Sequence, residues 1–252
     1  MIHNLYKHRG ETPLECIQNF RKKHPEQKEE KWTYLGRLDP MADGVLLAAT
    51  AEDIKKRDEF LNLDKDYDFT VLFGFSTDSY DILGKIFRVE KIDSVSESTL
   101  IRLTKAYEGK REQKYPAFSS KTVNGVALHD LARRGVIDDI EIPTKNVTIK
   151  KLEFLGFDTL LPKELLGRSL MDIGKVKGDF RQHDILILWK QMLGGFERQD
   201  KIFLGKFKAH VSSGTYIRGI VNDLGNSLGI GACALSITRT KVGEYDIKDS
   251  IR

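Results

Sequence analysis

The sequence is poor in the features that mark disulfide-bonded, metal-binding or membrane proteins. It has two cysteines among its 252 residues, Cys16 and Cys233, and neither has a partner at a ligand spacing. Neither a disulfide framework nor a zinc site is therefore expected. No apolar run is long enough to span a bilayer, and the N terminus carries no signal peptide. We therefore expect a cytoplasmic protein with no membrane partner.

A strong excess of one charge is missing as well. The chain has 41 Lys and Arg residues against 37 Asp and Glu residues, for a net charge of +4. This is a mild preference for polyanions, which does not by itself identify one. Hydrophobic residues make up 40% and charged residues 31% of the chain. Such a composition excludes a disordered protein and predicts one large buried core or two smaller ones.

The positive charge is concentrated in one stretch, residues 102–121. Its basic residues are Arg102, Lys105, Lys110, Arg111, Lys114 and Lys121, against the acidic Glu108 and Glu112. Three aromatic residues lie among them, Tyr107, Tyr115 and Phe118. This mixture is typical of phosphate contact combined with base stacking. A solvated helix face that runs into a loop gives the same pattern, so both interpretations stay open.

The pattern of apolar residues predicts a chain of strands and helices. Alternation predicts strands near 67–73, 85–89, 147–154, 203–211 and 232–238. Capping residues and helical spacing predict helices from Thr12, with Leu14 on its apolar stripe, from Thr50, from Ser94, within 125–135 and from Thr215. Residues 158–201 are interpreted as an insertion with one strand or helix of its own.

One stretch has the marks of a reactive site, the run Gly36-Arg37-Leu38-Asp39-Pro40. Pro40 fixes its own φ and pushes Asp39 towards an extended conformation. Gly36 and Gly44 permit tight turns, and the apolar residues 45–49 predict a buried strand or the start of an apolar helix. Asp39 would then lie on a loop held against the core, where a reactive carboxylate belongs. An ordinary turn with an Asp-Pro pair is the alternative.

Taken in order, these motifs resemble those of a known family. The run Leu38-Asp39-Pro40 resembles the catalytic-aspartate motif of the pseudouridine synthases, and its continuation through Gly44-Val45-Leu46 is similar to the TruB branch. Order and spacing match that branch from Lys7 to Gly243, with the interruption at 158–201. The further matching segments are Lys65-Asp66-Tyr67, Gly74 to Gly84, Pro116 to Gly125, Gly214-Thr215-Tyr216-Ile217-Arg218 and Arg239 to Gly243.

The resemblance implies both a fold and an activity. The fold would be α+β, with a mixed, mainly antiparallel central sheet flanked by helices, in a single catalytic domain over residues 1–252. An RNA-gripping stretch is implied near 102–135, and we expect none of the PUA domain that many relatives have. The enzyme would be an isomerase that converts a uridine of the tRNA T-loop to pseudouridine, as a monomer with no obligate protein partner. No cofactor is expected, because an isomerisation loses no electrons.

The resemblance also assigns roles by position. Asp39 would attack C1′ of the ribose or remove its 2′ proton, and Arg218 would hold Asp39 ionised by pairing with it. Tyr67 would stack on the flipped base near C5. The matched substrate-binding positions are Tyr34, Lys65, Tyr216 and Ile237, and the basic stretch adds Lys110, Arg111 and Lys114. No metal ligands are expected among them.

Two other functions stay open at this point. Gly36-Arg37 also resembles the branch that modifies ribosomal RNA. A non-catalytic RNA-binding or RNA-folding protein could keep the same scaffold, although the presence of Asp39, Tyr67 and Arg218 together disfavours it. One departure from the family concerns Tyr34, which stands where relatives have a histidine that contacts the RNA. We therefore expect the placement of the substrate to differ from that in the relatives more than the chemistry does.

Overall fold

The computed structural model describes residues 1–27 and 31–252 of the chain. Its strands are β1 (Ile2–Lys7), β2 (Trp32–Tyr34), β3 (Ala42–Thr50), β4 (Lys65–Phe73), β5 (Phe75–Thr77), β6 (Ile86–Val89), β7 (Gly109–Lys114), β8 (Thr122–Val123), β9 (Val126–Ala127), β10 (Thr144–Leu160), β11 (Ile202–Val211), β12 (Ala232–Val242) and β13 (Tyr245–Asp246). Its α-helices are α1 (Pro13–Lys23), α2 (Arg57–Leu61), α3 (Glu97–Tyr107), α4 (Leu128–Arg133), α5 (Pro162–Gly174), α6 (Gln182–Leu193) and α7 (Ile217–Ser227). Within the described ranges, no helix is long and apolar enough to cross a bilayer.

A nine-stranded sheet forms the centre of the molecule. Its main path runs β1-β3-β12-β4-β11-β10-β7, with β2 paired to β3 and β13 to β12. Neighbouring strands are antiparallel except for β3 and β12, which run parallel. Two small hairpins, β5-β6 and β8-β9, stand apart from this sheet. The predicted α+β fold with a mixed, mainly antiparallel sheet is confirmed.

The central strand β4 shows how the sheet is covered on its two faces. Tyr67, Phe69 and Phe73 alternate towards one face, where they join a cluster that includes residues of α3 and α7. Leu72 points to the opposite face and joins a second cluster with α5 and α6. The strand is therefore half-buried at its start and buried on both faces at its end, where α5 and α6 cover the second face.

Residues 158–201 differ from the prediction, because they form two helices after the end of β10. Helices α5 and α6 pack against each other, and the run 185–189, which contains Trp189, lies within α6. Trp189 is fully buried, stacks on Phe75 and donates from Nε1 to the Ile82 carbonyl at 3.1 Å. An apolar run of five residues fits a buried helix as well as a strand, so its periodicity could not decide between them. We refer to α5, α6 and the turn between them as the helix pair.

Three smaller predictions are also corrected. Ser96, rather than Ser94, caps α3, because its side chain accepts from the Thr99 amide. Leu14 is exposed, and α1 instead buries Cys16, Ile17 and Phe20 behind its Thr12 cap. The helix predicted from Thr50 begins as a 3₁₀ turn, Ala51–Lys56, before the short α2.

Candidate active site

A pocket of about 720 Å³ opens beside the edge where β4, β12 and α7 meet the loop before β3. It brings together seven of the predicted site residues, although they are far apart in the sequence. These are Tyr34, Asp39, Lys65, Tyr67, Tyr216, Arg218 and Ile237. The remaining three, Lys110, Arg111 and Lys114, lie on β7 and are not among the residues that line the pocket.

Asp39 lies on the loop between β2 and β3, and the fold holds this loop at three points. The Ala42 amide donates to the Asp39 carbonyl at 3.0 Å, and the Gly10 amide donates to the Pro40 carbonyl at 2.8 Å. Gly44 has a φ of 106°, and a Cβ atom there would lie 2.2 Å from the Arg239 carbonyl oxygen. Only glycine fits such a position. The apolar run after Asp39 is thus a strand, and the side chain of Asp39 stays partly open to the pocket, at 36% exposure.

Arg218 holds the Asp39 carboxylate in place. It lies in the first turn of α7 and is buried, at 3% exposure of its side chain. Its Nε donates to Asp39 Oδ2 at 2.7 Å, its Nη1 to the Ser79 carbonyl at 2.6 Å and its Nη2 to the Phe118 carbonyl at 3.3 Å. Burial lowers the pKa of the guanidinium, but the carboxylates of Asp39 and Asp81 raise it by more. Arg218 therefore stays charged while it joins the Asp39 loop to two others.

Asp81 is a second buried carboxylate at this site, and sequence reasoning gave it no role. Its Oδ2 lies 3.7 Å from Arg218 Nε, while its Oδ1 accepts from Ser79 Oγ at 2.5 Å and from the Leu83 amide at 3.0 Å. Burial raises its pKa to about 6, although Arg218 and Ser79 act in the opposite direction. The sequence did contain a sign of this residue, because the matched segment Gly74 to Gly84 has an acidic residue at position 81.

The apolar part of the pocket comes from neighbouring strands and the start of α7. Tyr67 on β4 and Ile237 on β12 are 8% and 6% exposed, so each presents only an edge to the pocket. Tyr216 precedes α7, and its ring meets the ring of Tyr115 edge to face, with centroids 5.7 Å apart. Burial, and then the charge of Asp39, raises the pKa of Tyr216. Flat aromatic and apolar walls beside a carboxylate suit a nucleobase that enters the pocket.

Two basic side chains, Lys65 and Arg239, also line the pocket. Lys65 donates from Nζ to the Leu61 carbonyl at 2.8 Å and also to the Leu63 carbonyl. Burial, with the nearby charge of Arg239, lowers the pKa of Lys65 to about 8. Arg239 is 2% exposed and donates to the carbonyls of Val45 and Arg37, which fixes the ends of the Asp39 loop. Both cations are buried and bonded to backbone carbonyls, so they add positive charge to the pocket wall and fix the loops around it.

The three basic residues of β7 do not share one face. Arg111 packs its guanidinium 4.1 Å above the Tyr107 ring and donates to the Ala106 carbonyl at 3.2 Å. Lys110 and Lys114 are exposed and belong to the other face of the strand, since side chains alternate along it. The predicted patch is thus split. The alternation was not anticipated because no strand was predicted within 102–121, whereas 109–114 is an edge strand.

No cluster of three His, Cys, Asp or Glu side chains arranged to hold a metal ion is found in residues 1–27 and 31–252. Cys16 and Cys233 are buried, and burial raises the pKa of Cys16 to about 12. The Asp39 carboxylate, held by Arg218 and partly open to the pocket, is placed to react with a molecule that enters it.

Comparison with known proteins identifies the family. The model of the TruB family pseudouridylate synthase, N-terminal domain, matches residues 22–166, which is more than half of the chain. The tRNA pseudouridine synthase B of Endomicrobium trichonymphae is 30% identical over 88% of this chain and 77% of its own length. That of Clostridium acetobutylicum is 29% identical over 99% of this chain and 70% of its own length.

A solved structure supports the fold independently of sequence. A chain from a Cbf5-Nop10-Gar1 complex superimposes with a TM-score of 0.58 over 97% of this chain, at 19% identity. This chain spans about half of that chain's length, 49%. At this identity the likeness concerns the fold alone. The sequence matches and the shared fold together show that the chain belongs to the TruB family of pseudouridylate synthases, which are isomerases.

Proposed function

We propose that the protein converts a uridine in the T-loop of tRNA to pseudouridine, with Asp39 as the reacting group. The observation that carries the proposal is the Asp39 carboxylate, which faces an aromatic pocket and is held from behind by the buried Arg218. The volume of about 720 Å³ lies within the range of sites that enclose a small molecule. A uridine can reach this carboxylate only after it is flipped out of its stack.

The two carboxylate oxygens of Asp39 have different hydrogen-bond partners. Arg218 binds Oδ2, whereas in the part of the chain that the structure describes no donor is bonded to Oδ1. Oδ1 is therefore the oxygen that can attack C1′ or remove the 2′ proton, as carboxylates act on sugars in glycosidases. On the first route the carboxylate displaces N1 from C1′, the uracil turns, and C5 bonds to C1′ as the carboxylate leaves. On the second route the 2′ proton is removed as N1 leaves, and it returns to C2′ when C5 bonds to C1′. The C5 proton is then lost, N1 gains a proton, and no electrons are exchanged overall.

The aromatic residues would hold the base while it turns. Tyr67 presents the edge of a buried ring on β4, beside the strand that carries Ile237. Tyr216 is fixed through its backbone, since its amide donates to Gln113 at 2.8 Å and its carbonyl accepts from Gln113 at 2.9 Å. We assign the ring of Tyr67 to base stacking near C5 and Tyr216 with Ile237 to the other walls. Tyr34 and Lys65, which also line the pocket, would contact the neighbouring RNA.

The substrate is inferred from the relatives, several of which are named tRNA pseudouridine synthase B. Ribosomal RNA is the second candidate, because Gly36-Arg37 precedes Leu38 as it does in that branch. We further propose a monomer that acts in the cytoplasm without a protein partner.

Paired RNA substrates test this choice. A tRNA T-arm and a ribosomal hairpin of equal length, each with one tritium-labelled uridine, would be incubated with the protein, and tritium released from C5 would be counted. We expect release from the T-arm alone, and pseudouridine at that T-loop position in cells that carry the gene. Release from the ribosomal hairpin alone would refute the tRNA assignment.

A further inference from the structure

The helix pair reaches the active site through the turn between its two helices. Phe180 and Arg181 in this turn line the same pocket as Asp39. Arg181 has a left-handed backbone, with φ of 64° and ψ of 24°. Such a conformation is uncommon for a residue other than glycine and persists only where the surroundings impose it. The contacts of the Arg181 side chain show what those surroundings are.

Arg181 makes a two-pronged ion pair and a stack. Its Nη1 lies 2.6 Å from Asp78 Oδ2 and its Nη2 lies 3.1 Å from Asp78 Oδ1. The guanidinium carbon lies 3.9 Å from the centre of the Phe118 ring. Both Arg181 and Asp78 are shielded, with side chains 18% and 30% exposed. This planar arrangement requires a guanidinium, because an ammonium cannot form a fork and a stack together.

The two residues that Arg181 holds belong to the two loops that bind Arg218. Asp78 precedes Ser79, whose carbonyl accepts from Arg218 Nη1, and Phe118 supplies the carbonyl that accepts from Arg218 Nη2. Each loop therefore contacts Arg218 through a backbone carbonyl and Arg181 through a side chain. Trp189 of α6 supports the first loop from below, through the Ile82 carbonyl. A shift of either loop would move the hydrogen bonds that orient Arg218.

The loop that carries Asp39, the partner of Arg218, is also held by the helix pair. Asp172 of α5, buried at 4% exposure, accepts from Arg9 Nη1 at 2.7 Å. Arg9 also lies 3.5 Å from Asp43, just after the Asp39 loop. The next residue, Gly10, donates to the Pro40 carbonyl, and the backbone of Gly10 packs directly against Lys175 at the end of α5. The helix pair thus braces the Asp39 loop at one end and the two loops around Arg218 at the other.

We propose that Arg181 is a positioning residue for the Asp39–Arg218 pair, and that the helix pair is part of the catalytic frame. This inference rests on the proposed function, since it concerns the rate of the same reaction. Arg181 acts through Asp78 and Phe118 on the orientation of Arg218, and through Arg218 on Asp39. A misplacement of about 1 Å in such an arrangement can lower a rate about a hundredfold. An Arg181 that instead bound RNA directly would affect affinity and leave the rate at saturation unchanged.

The test uses four variants in the full chain. Arg181→Gln and Arg181→Lys break the fork and the stack, and Asp78→Asn breaks the fork from the other side without changing the left-handed residue. The control is Asp158→Asn, which removes an exposed ion pair of 2.8 Å between β10 and Lys206 of β11, outside the helix pair and the pocket. For each variant, one would measure the dissociation constant for a T-arm RNA, the single-turnover rate at saturating RNA and the melting temperature. Rates are compared at a temperature at which every variant is folded.

We expect Arg181→Gln, Arg181→Lys and Asp78→Asn each to lower the saturating rate about ten- to hundredfold, with dissociation constants within about threefold of wild type. Adding Asp78→Asn to Arg181→Gln should lower the rate little further, because both remove the same link. Asp158→Asn should match wild type. A wild-type saturating rate for Arg181→Gln, or a weakened affinity alone, would overturn the inference. Wild-type protein that forms no pseudouridine would instead overturn the proposed function, which separates the two failures.

Discussion

Replacement of Arg218 by lysine should lower the rate of pseudouridine formation by about two to four orders of magnitude. Arg218 makes three hydrogen bonds, to Asp39 Oδ2 and to the carbonyls of Ser79 and Phe118. A lysine ammonium at this position can keep the bond to Asp39 but cannot reach both carbonyls in the plane of a guanidinium. Two lost bonds to a charged group are worth about 1.5–3 kcal/mol each. At about 1.4 kcal/mol per factor of ten, a loss of about 3–6 kcal/mol gives this range.

The assay is single-turnover release of tritium from a T-arm RNA labelled at C5, at saturating protein. The matched control is Arg88→Lys, because Arg88 is an exposed arginine that binds Glu90 and the Gly229 carbonyl outside the pocket. Circular dichroism would establish that both variants are folded at the assay temperature. If Arg218→Lys kept a rate within about threefold of wild type, the guanidinium geometry would not be what aligns Asp39.

Three further predictions concern pH, salt and backbone strain. Because burial raises the pKa of Asp81 to about 6, its charge and its attraction to Arg218 are lost as the pH falls through 6. The single-turnover rate should therefore fall as the pH drops below about 6. Asp81→Asn should give a lower rate that shows no such fall near pH 6. If the fall near pH 6 persists in Asp81→Asn, it belongs to another group. Joint replacement of Lys110 and Lys114 by alanine should flatten the slope of log affinity against log salt by about one to two units, whereas Arg111→Ala should change it little because Arg111 packs on an aromatic ring. Equal effects from the two sets would contradict the split of β7. Gly44→Ala should lower the free energy of unfolding by at least about 2 kcal/mol in urea titration, since its Cβ would lie 2.2 Å from a backbone oxygen. An unchanged midpoint and slope would refute that expectation.

The sheet and the centre of the site could be predicted because they depend on local rules and ordered motifs. Alternation along 67–73 and 203–211 predicted the strands β4 and β11, since their side chains point in turn to a core and to the other face. The Thr12 cap predicted the start of α1. The proximity of Asp39 and Arg218, 179 positions apart, followed from the resemblance and from no spacing rule.

The parts that could not be predicted depend on tertiary contacts. Strand β7 consists mostly of polar residues and, among the strands that the structure describes, pairs with β10 alone, so its sequence shows no apolar alternation. In the run that contains Trp189, Ile185 and Trp189 are buried beneath the sheet whereas Ile187 is exposed. Because all five residues of the run are apolar, the sequence hides this helical i, i+4 spacing. Asp81 and Arg181 acquire their contacts only when distant loops meet. Residues with such contacts are found by geometry after the fold is known.

The central claim is that the Asp39 carboxylate performs the chemistry while other residues bind the RNA. Its most direct test is the Asp39→Asn variant, which keeps the shape of the side chain and removes its charge. One would measure single-turnover pseudouridine formation and the dissociation constant on the same T-arm RNA. We expect no detectable product, with a dissociation constant within about threefold of wild type. Product formation at a rate near that of wild type would contradict it.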